Sequence, residues 1–463
     1  MTSANPLAPS APPAPPAREA ADGAGAPGVR GRPAPSHPYA WLTALGLFLG
    51  ARLTGTAVLT AAAAAVGKEP FALLGRSWDS VWYLGIAADG YGRTVHYSSL
   101  QASDLAFFPL YPALVRAVTE VAPLGGGAAG LLVSWAAAAV AACGMYAVGA
   151  RLHGPAAGTA LVLLWGLLPH SVVLSMAYTE PLLTACAAWA LYAVLTGRWV
   201  RAGALAALAG LSRPNGVAVA AAVVVAAVYE LARGRGRALS SPRLGTARLW
   251  TARLGTARLR TARLGTGRLG AARLGTARLG TARLGTARQG RARLWTARLC
   301  TAVVLAPLGW CGHVLWVGVR EGDPLGGYFA VQRRWSSRFD FGQGALRFVR
   351  HLLLGHDRFV FAMTTVIAAV ALLLFALLLL DRPPLPLLVY TAVLLVIALG
   401  GDGFFASKPR FLLPAFPLLL PLALALARTA RARPWHATVV VAALAGLSYV
   451  YGAYLVVVNR VPL

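Results

Sequence analysis

The sequence predicts an all-α fold, a polytopic transmembrane helical bundle, on three observations. Mean hydropathy is +0.62. Charged residues make up 13% of the 463 positions, against about 25% in soluble domains. Apolar runs of about 20 residues recur, the length a helix needs to cross a hydrocarbon core of about 30 Å. Lipid accepts only helices or closed barrels, and these runs are long and rich in Ala and Leu. The expectation is a multi-pass protein of the cell membrane with about nine to twelve membrane helices and interfacial helices in its first outer loop.

Taken in order, residues 1–38 are rich in Pro, Ala and Gly. They cannot bury a core and read as a disordered tail. The apolar run at 39–63 is too long for a signal-peptide core and reads as an uncleaved first span. An N-terminal transmembrane catalytic part covers 39–232, with an outer loop at 64–127. Within that loop, "AFFPLYPALVRAVTEV" is amphipathic and interrupted by prolines, as suits a helix lying at the interface. Spans are expected at 128–150, 156–175 and 181–197. Residues 202–230 form apolar helix broken at "LSRPNG", where Pro214 and Gly216 interrupt it. The C-terminal transmembrane part, 299–463, carries spans at 301–319, 359–380, 386–400, 411–427 and 436–458. Its outer loop at 320–357 is aromatic and basic.

Between the two parts lies an Arg-rich insert, 233–298, with arginine every five residues from Arg243 to Arg298. Five residues advance a helix by about 140° net, so the arginines would wind round every face and leave no apolar stripe. The segment reads as a flexible or loosely helical cytoplasmic insert, with anionic lipid headgroups as its alternative ligand. It also explains the net charge of +28: its seventeen arginines, set aside, leave +11, ordinary for basic cytoplasmic loops. Nucleic acid is therefore not an expected partner. The four cysteines and eight histidines show no metal-ligand spacing. No visible cluster requires a metal, although two acids beside a phosphate could hold a divalent cation.

Lysine and arginine placement puts the first loop, the turn near Glu180, loop 320–357 and the turn near Asp402 on the outer face. The arginines of loop 320–357 sit uneasily there: either they bind something anionic, or the span count is off by one. Asp79 lies in "GRSWDSVWYLGIAADGYG". A helix over 78–88 would set Trp78 and Trp82 on one face, with Asp79 and Tyr83 on the adjacent one. Such a helix would lie flat, tryptophans among headgroups and carboxylate in water. Asp79 is then a helix cap or a general base. Glu180 either sits at a helix start, where the dipole favours an acid, or joins Asp79 in a site. Arg213, Asn215, Lys408 and Arg410 flank proline breaks; the cations either snorkel or hold a phosphate. Arg52, inside the first span, must face protein or a water-filled cavity.

One problem unites these groups. The outer side of a membrane holds no nucleotide sugars, so glycosyl transfer there needs a sugar carried on lipid phosphate. Such a site wants a boundary carboxylate, cations for the leaving phosphate, and aromatic surfaces for sugar and isoprenoid; Trp78, Trp82, Tyr83, Tyr111 and Tyr178 are candidates for the last. The blocks "WDSVWYLGIAADGY", "AFFPLYPALVR", "YTEPLLTACAAWALY", "GRWVRAGALAALAGLSRPNG" and "KPRFLLPAFPLLLPLA" resemble, in content and order, the bacterial relatives of the GPI-anchor second mannosyltransferase, the PIG-V-like branch of the GT-C glycosyltransferases. The resemblance covers residues 40–230 and 300–458. It implies a GT-C helical fold, a polyprenyl- or dolichyl-phosphate mannose donor, and a catalytic acid in the first outer loop, which falls on Asp79. The expected partners are that donor, the bilayer, and a hydroxyl acceptor on glycan, lipid or protein. A transporter or lipid flippase, suggested by the broken helices and buried arginines, and a non-catalytic assembly protein are the rival expectations.

Overall fold

A computed structural model describes residues 39–97, 100–240, 271–354 and 359–459. The expected disordered tail at 1–38, and residues 241–270 of the Arg-rich insert, lie outside the described residues. The described chain is helical apart from two short antiparallel pairs, β1–β2 and β3–β4.

The first span is α1, Ala40–Ala65. The outer-loop region that follows is more built than expected. It holds α2 (Pro70–Gly75), α3 (Asp79–Asp89), a hairpin of β1 (Thr94–Tyr97) and β2 (Leu100–Ser103), and α4 (Leu110–Val121). Asp89 is the last residue of α3, which stops at Gly90 in a left-handed conformation, φ 79°, where a side chain would be strained. Next come α5 (Gly126–His153), α6 (Pro155–Gly166), α7 (Glu180–Leu195), α8 (Trp199–Ser212) and α9 (Val217–Ser240).

The second half is α10 (Ala271–Arg320), α11 (Gly327–Arg334), β3 (Arg338–Phe339), α12 (Gln343–Leu354), α13 (Phe359–Leu380) and α14 (Leu385–Gly400). It closes with β4 (Gly401–Asp402), α15 (Lys408–Leu412), α16 (Leu420–Ala432) and α17 (Pro434–Ala453). The later repeats of the insert thus run as helix straight into a membrane-length segment.

Among the described residues, six helices are long and apolar enough to cross a membrane: Ala40–Ala65, Gly126–His153, Pro214–Arg233, Arg293–Arg320, Phe359–Leu380 and Pro434–Val458. The pair Phe405–Leu412 and Phe416–Ala432, bent by 74°, makes a seventh if it is one span. The expectation from sequence is about nine to twelve. The other apolar helices, α6, α7, α8 and α14, are 10–17 residues long. The run at 156–175 fails as one helix because Pro169 lacks a backbone donor; α6 ends at Gly166 and a 3₁₀ turn covers Ser171–Ser175.

Breaks position the site. Arg213 is extended (φ −161°, ψ 160°) between α8 and α9, as the residue before a proline prefers. Helix α8 packs tightly on α10 through small residues: a Cβ on Gly210 would stand 2.6 Å from the Trp310 nitrogen, and one on Gly203 3.0 Å from the Ala302 Cα. Close backbone approach through glycine is a common membrane packing device.

Candidate functional site

Four separated stretches converge on one charged cluster. Trp78, in the left-handed region at φ 51°, turns the chain so that α3 begins on Asp79. That backbone is strained for a non-glycine residue. Asp79 Oδ2 lies 2.8 Å from Arg410 Nη1. Arg410 stands on the short helix α15. Its Nε reaches Glu180 Oε1 at 3.1 Å, and Arg213 Nη1 pairs with the same oxygen. Glu180 opens α7, where the helix dipole favours its charge. Arg213 Nη1 also donates to Thr179 Oγ1 at 3.0 Å, and the Tyr83 hydroxyl meets that oxygen at 3.3 Å. The Arg410 guanidinium lies over the rings of Tyr178 and Phe411, 5.1 Å from each centroid.

The cluster has two layers. The Glu180 side chain is 1% exposed, Arg410 5% and Arg213 8%, whereas Asp79 is 24% exposed. A cavity of about 370 Å³ opens beside it, lined by Asp79, Tyr83, Arg213, Asn215, Lys408 and Arg410. Glu180 is not on its wall. Two carboxylates against two arginines balance in charge, and burial of the inner pair is tolerable only because each ion has partners. Burial chiefly pushes the Tyr83 phenol up to about 12, with the charges of Asp79 and Glu180 adding and Arg213 opposing. Tyr83 is therefore a hydrogen-bond donor at neutral pH. Tyr178 is pushed up too, first by burial and then by Asp79.

Other expected residues stand elsewhere. Lys408 lines the cavity, but its Nζ donates to Gly401 O at 2.6 Å, Ala398 O at 2.9 Å and Leu399 O at 3.5 Å. Its ammonium caps the carbonyl end of α14 rather than offering free donors to a phosphate. Arg52 is off the cavity wall: it donates to Ser171 and Ser175 hydroxyls and the Gly166 carbonyl. It faces protein, one of its two expected surroundings. Tyr111 is fully buried, donating to Gly130 O at 2.8 Å beside Ser134, and serves to dock α4 on α5.

Trp82 is also not the headgroup anchor that the sequence suggests. It is 9% exposed, stacked on Phe107 at 5.8 Å and edge-on to Trp335 at 5.1 Å. Trp78 packs at the border of the main core.

The sequence reading missed part of the wall. Trp310 of α10, Tyr328 and Gln332 of α11, Trp335, and the pair Arg338–Asp402 all line the cavity. Arg338 Nε is 3.5 Å from Asp402 Oδ2, and Arg334 Nη2 is 2.7 Å from Glu321 Oε2. Acids within the same region thus answer two of the arginines that sat uneasily on the outer face. The aromatic and basic character of loop 320–357 was the available signal. Among the described residues, no group of three His, Cys, Asp or Glu is placed to hold a metal ion. Compared with family models, curated proteins and solved structures, the chain matches none.

Proposed function

We propose that this multi-pass membrane protein is a glycosyltransferase of the GT-C type. It moves mannose from a polyprenyl-phosphate donor to a hydroxyl acceptor on the extracytoplasmic face of the cell membrane. The observation that carries this reading is the cavity itself. A partly exposed carboxylate, Asp79, shares its wall with two buried arginines and with the rings of Trp310, Tyr328 and Trp335. Segments expected on the outer face from charge placement, around Asp79, Trp335 and Asp402, all contribute to that wall. The resemblance of the "WDS", "FFPLYP" and "TEP" blocks to the PIG-V-like enzymes supports the same reading.

In this mechanism the acceptor hydroxyl gives its proton to the Asp79 carboxylate. The acceptor oxygen bonds to the anomeric carbon as the bond from that carbon to the phosphate oxygen breaks, and the electron pair leaves on the phosphate. Arg213 and Arg410 offer forked donors to that growing charge, worth most where water is scarce. A single displacement inverts the anomeric centre. Glu180 acts behind the arginines as their counterion. Tyr83 and Asn215, which line the cavity, are assigned to sugar hydroxyls in this reading. The test is labelled polyprenyl-phosphate mannose incubated with membranes of a deletion strain complemented with the wild-type chain or with Asp79→Asn. Unchanged mannosylation by the variant would remove Asp79 as the base.

The 74° bend at Phe405–Ala432 and the break at Arg213 favour a second reading, a transporter or lipid flippase, since broken helices line transport sites. Lipid translocation in proteoliposomes without sugar transfer would establish it.

A further inference from the structure

Arg410 is asked to serve two carboxylates at once. Its Nη1 holds Asp79, and its Nε shares Glu180 with Arg213. Those ties are unequal. Glu180 is 1% exposed and Asp79 24%. Freeing Glu180 would strand a charge among apolar helices, which is costly; freeing Asp79 leaves it to water in the cavity. Asp79 and Arg410 also line that cavity together, so an anion entering it meets the same guanidinium that Asp79 occupies.

We propose that Arg410 is an exchange clamp, which holds the Asp79 carboxylate until the phosphate of a lipid-linked sugar enters the cavity, and then yields that carboxylate in favour of the phosphate. The proposal rests on the cavity taking such a donor. While Asp79 is paired with Arg410, its Oδ2 is occupied by the guanidinium. Once the phosphate takes the guanidinium, that oxygen is open to the acceptor hydroxyl. Asp79 is free to act only when the sugar is present, and binding is ordered, donor before acceptor. Glu180 and Arg213 keep Arg410 in place through the exchange. The charged and titratable groups against Asp79 are Arg410 from α15, Tyr178 just before α7 and Tyr83 on its own helix, with Glu180 and Arg213 behind Arg410.

The test is infrared difference spectroscopy on the full chain in lipid nanodiscs at fixed neutral pH, with and without polyprenyl monophosphate. The Asp79 carboxylate stretch is assigned by its loss in Asp79→Asn. Binding of the lipid phosphate is measured separately on the same sample. The expected result is that bound lipid phosphate shifts that stretch from the position of a guanidinium-paired carboxylate to that of a hydrated one. In Arg410→Gln the stretch starts at the hydrated position and the lipid moves it little; Arg410→Lys, which keeps the charge without the fork, lies between. Lipid phosphate that binds while the wild-type stretch stays fixed overturns the clamp and leaves the transferase reading standing. Failure of the lipid phosphate to bind overturns both.

Discussion

Arg52 and Arg410 are both arginines buried in apolar helical surroundings, 3% and 4% exposed, yet their settings differ in kind. Arg52 meets only neutral oxygens: two serine hydroxyls and a carbonyl, tied onward from Ser171 to Ser448 and the Leu168 carbonyl. That network pins α1 to the turn before α7 and to α17. Arg410 meets two carboxylates, and a cavity opens on the exposed one. A buried cation alone is therefore a poor marker of a site. Opposite charge on one side and open space on the other distinguish a cation available to a ligand from one that fastens helices.

Substitutions separate the two settings. Asp79→Asn should lower transfer by roughly 10²–10⁴-fold, the usual worth of a positioned general base, while the melting temperature of the purified protein barely moves. Loss of folding with residual transfer per folded molecule unchanged would make Asp79 structural, like the partners of Arg52. Glu180→Gln removes the counterion shared by two buried arginines. It should cost about 3–5 kcal/mol of stability, read by thermal unfolding in detergent, and transfer should fall with it. Arg52→Met should cost about 1–3 kcal/mol, because the serines lose their donor. Transfer per folded molecule should remain at the wild-type level, and a selective loss of donor affinity would return Arg52 to the site.

The smallest effect is expected from the insert. Deleting residues 243–287 should leave transfer unchanged. The cut stops short of Trp295, whose ring meets Trp199 at 6.3 Å and so helps seat α10 against α8. Loss of all activity in this deletion would instead make the repeat central.

Asp79, Glu180, Arg213 and Arg410 were legible in the sequence because charges are scarce in apolar runs and proline breaks flank several of them. Asn215 was legible for its place at the "SRPNG" break. The division of labour was not legible. Whether Glu180 faces a cavity or lies behind it depends on its long-range pairing with Arg410 of α15, which no local spacing encodes. Lys408 looked like a phosphate ligand, but its three carbonyl partners come from the end of α14, where the chain bends back on itself. Trp82 looked like a surface anchor, because its stacking partner Trp335 is far away in sequence. The helical class followed from composition and the recurring apolar runs. The breaks within those runs did not, since proline at 169 and the 74° bend interrupt segments whose hydropathy reads as continuous.

Purified protein in liposomes decides whether this cavity transfers a sugar from lipid phosphate. Polyprenyl-phosphate mannose labelled in the sugar would be supplied with a membrane extract as the source of acceptors. The expected result is label joined to an acceptor with inverted anomeric configuration, and polyprenyl monophosphate released in equal amount. Donor that crosses the bilayer, or stays in place, with its sugar still attached would contradict it.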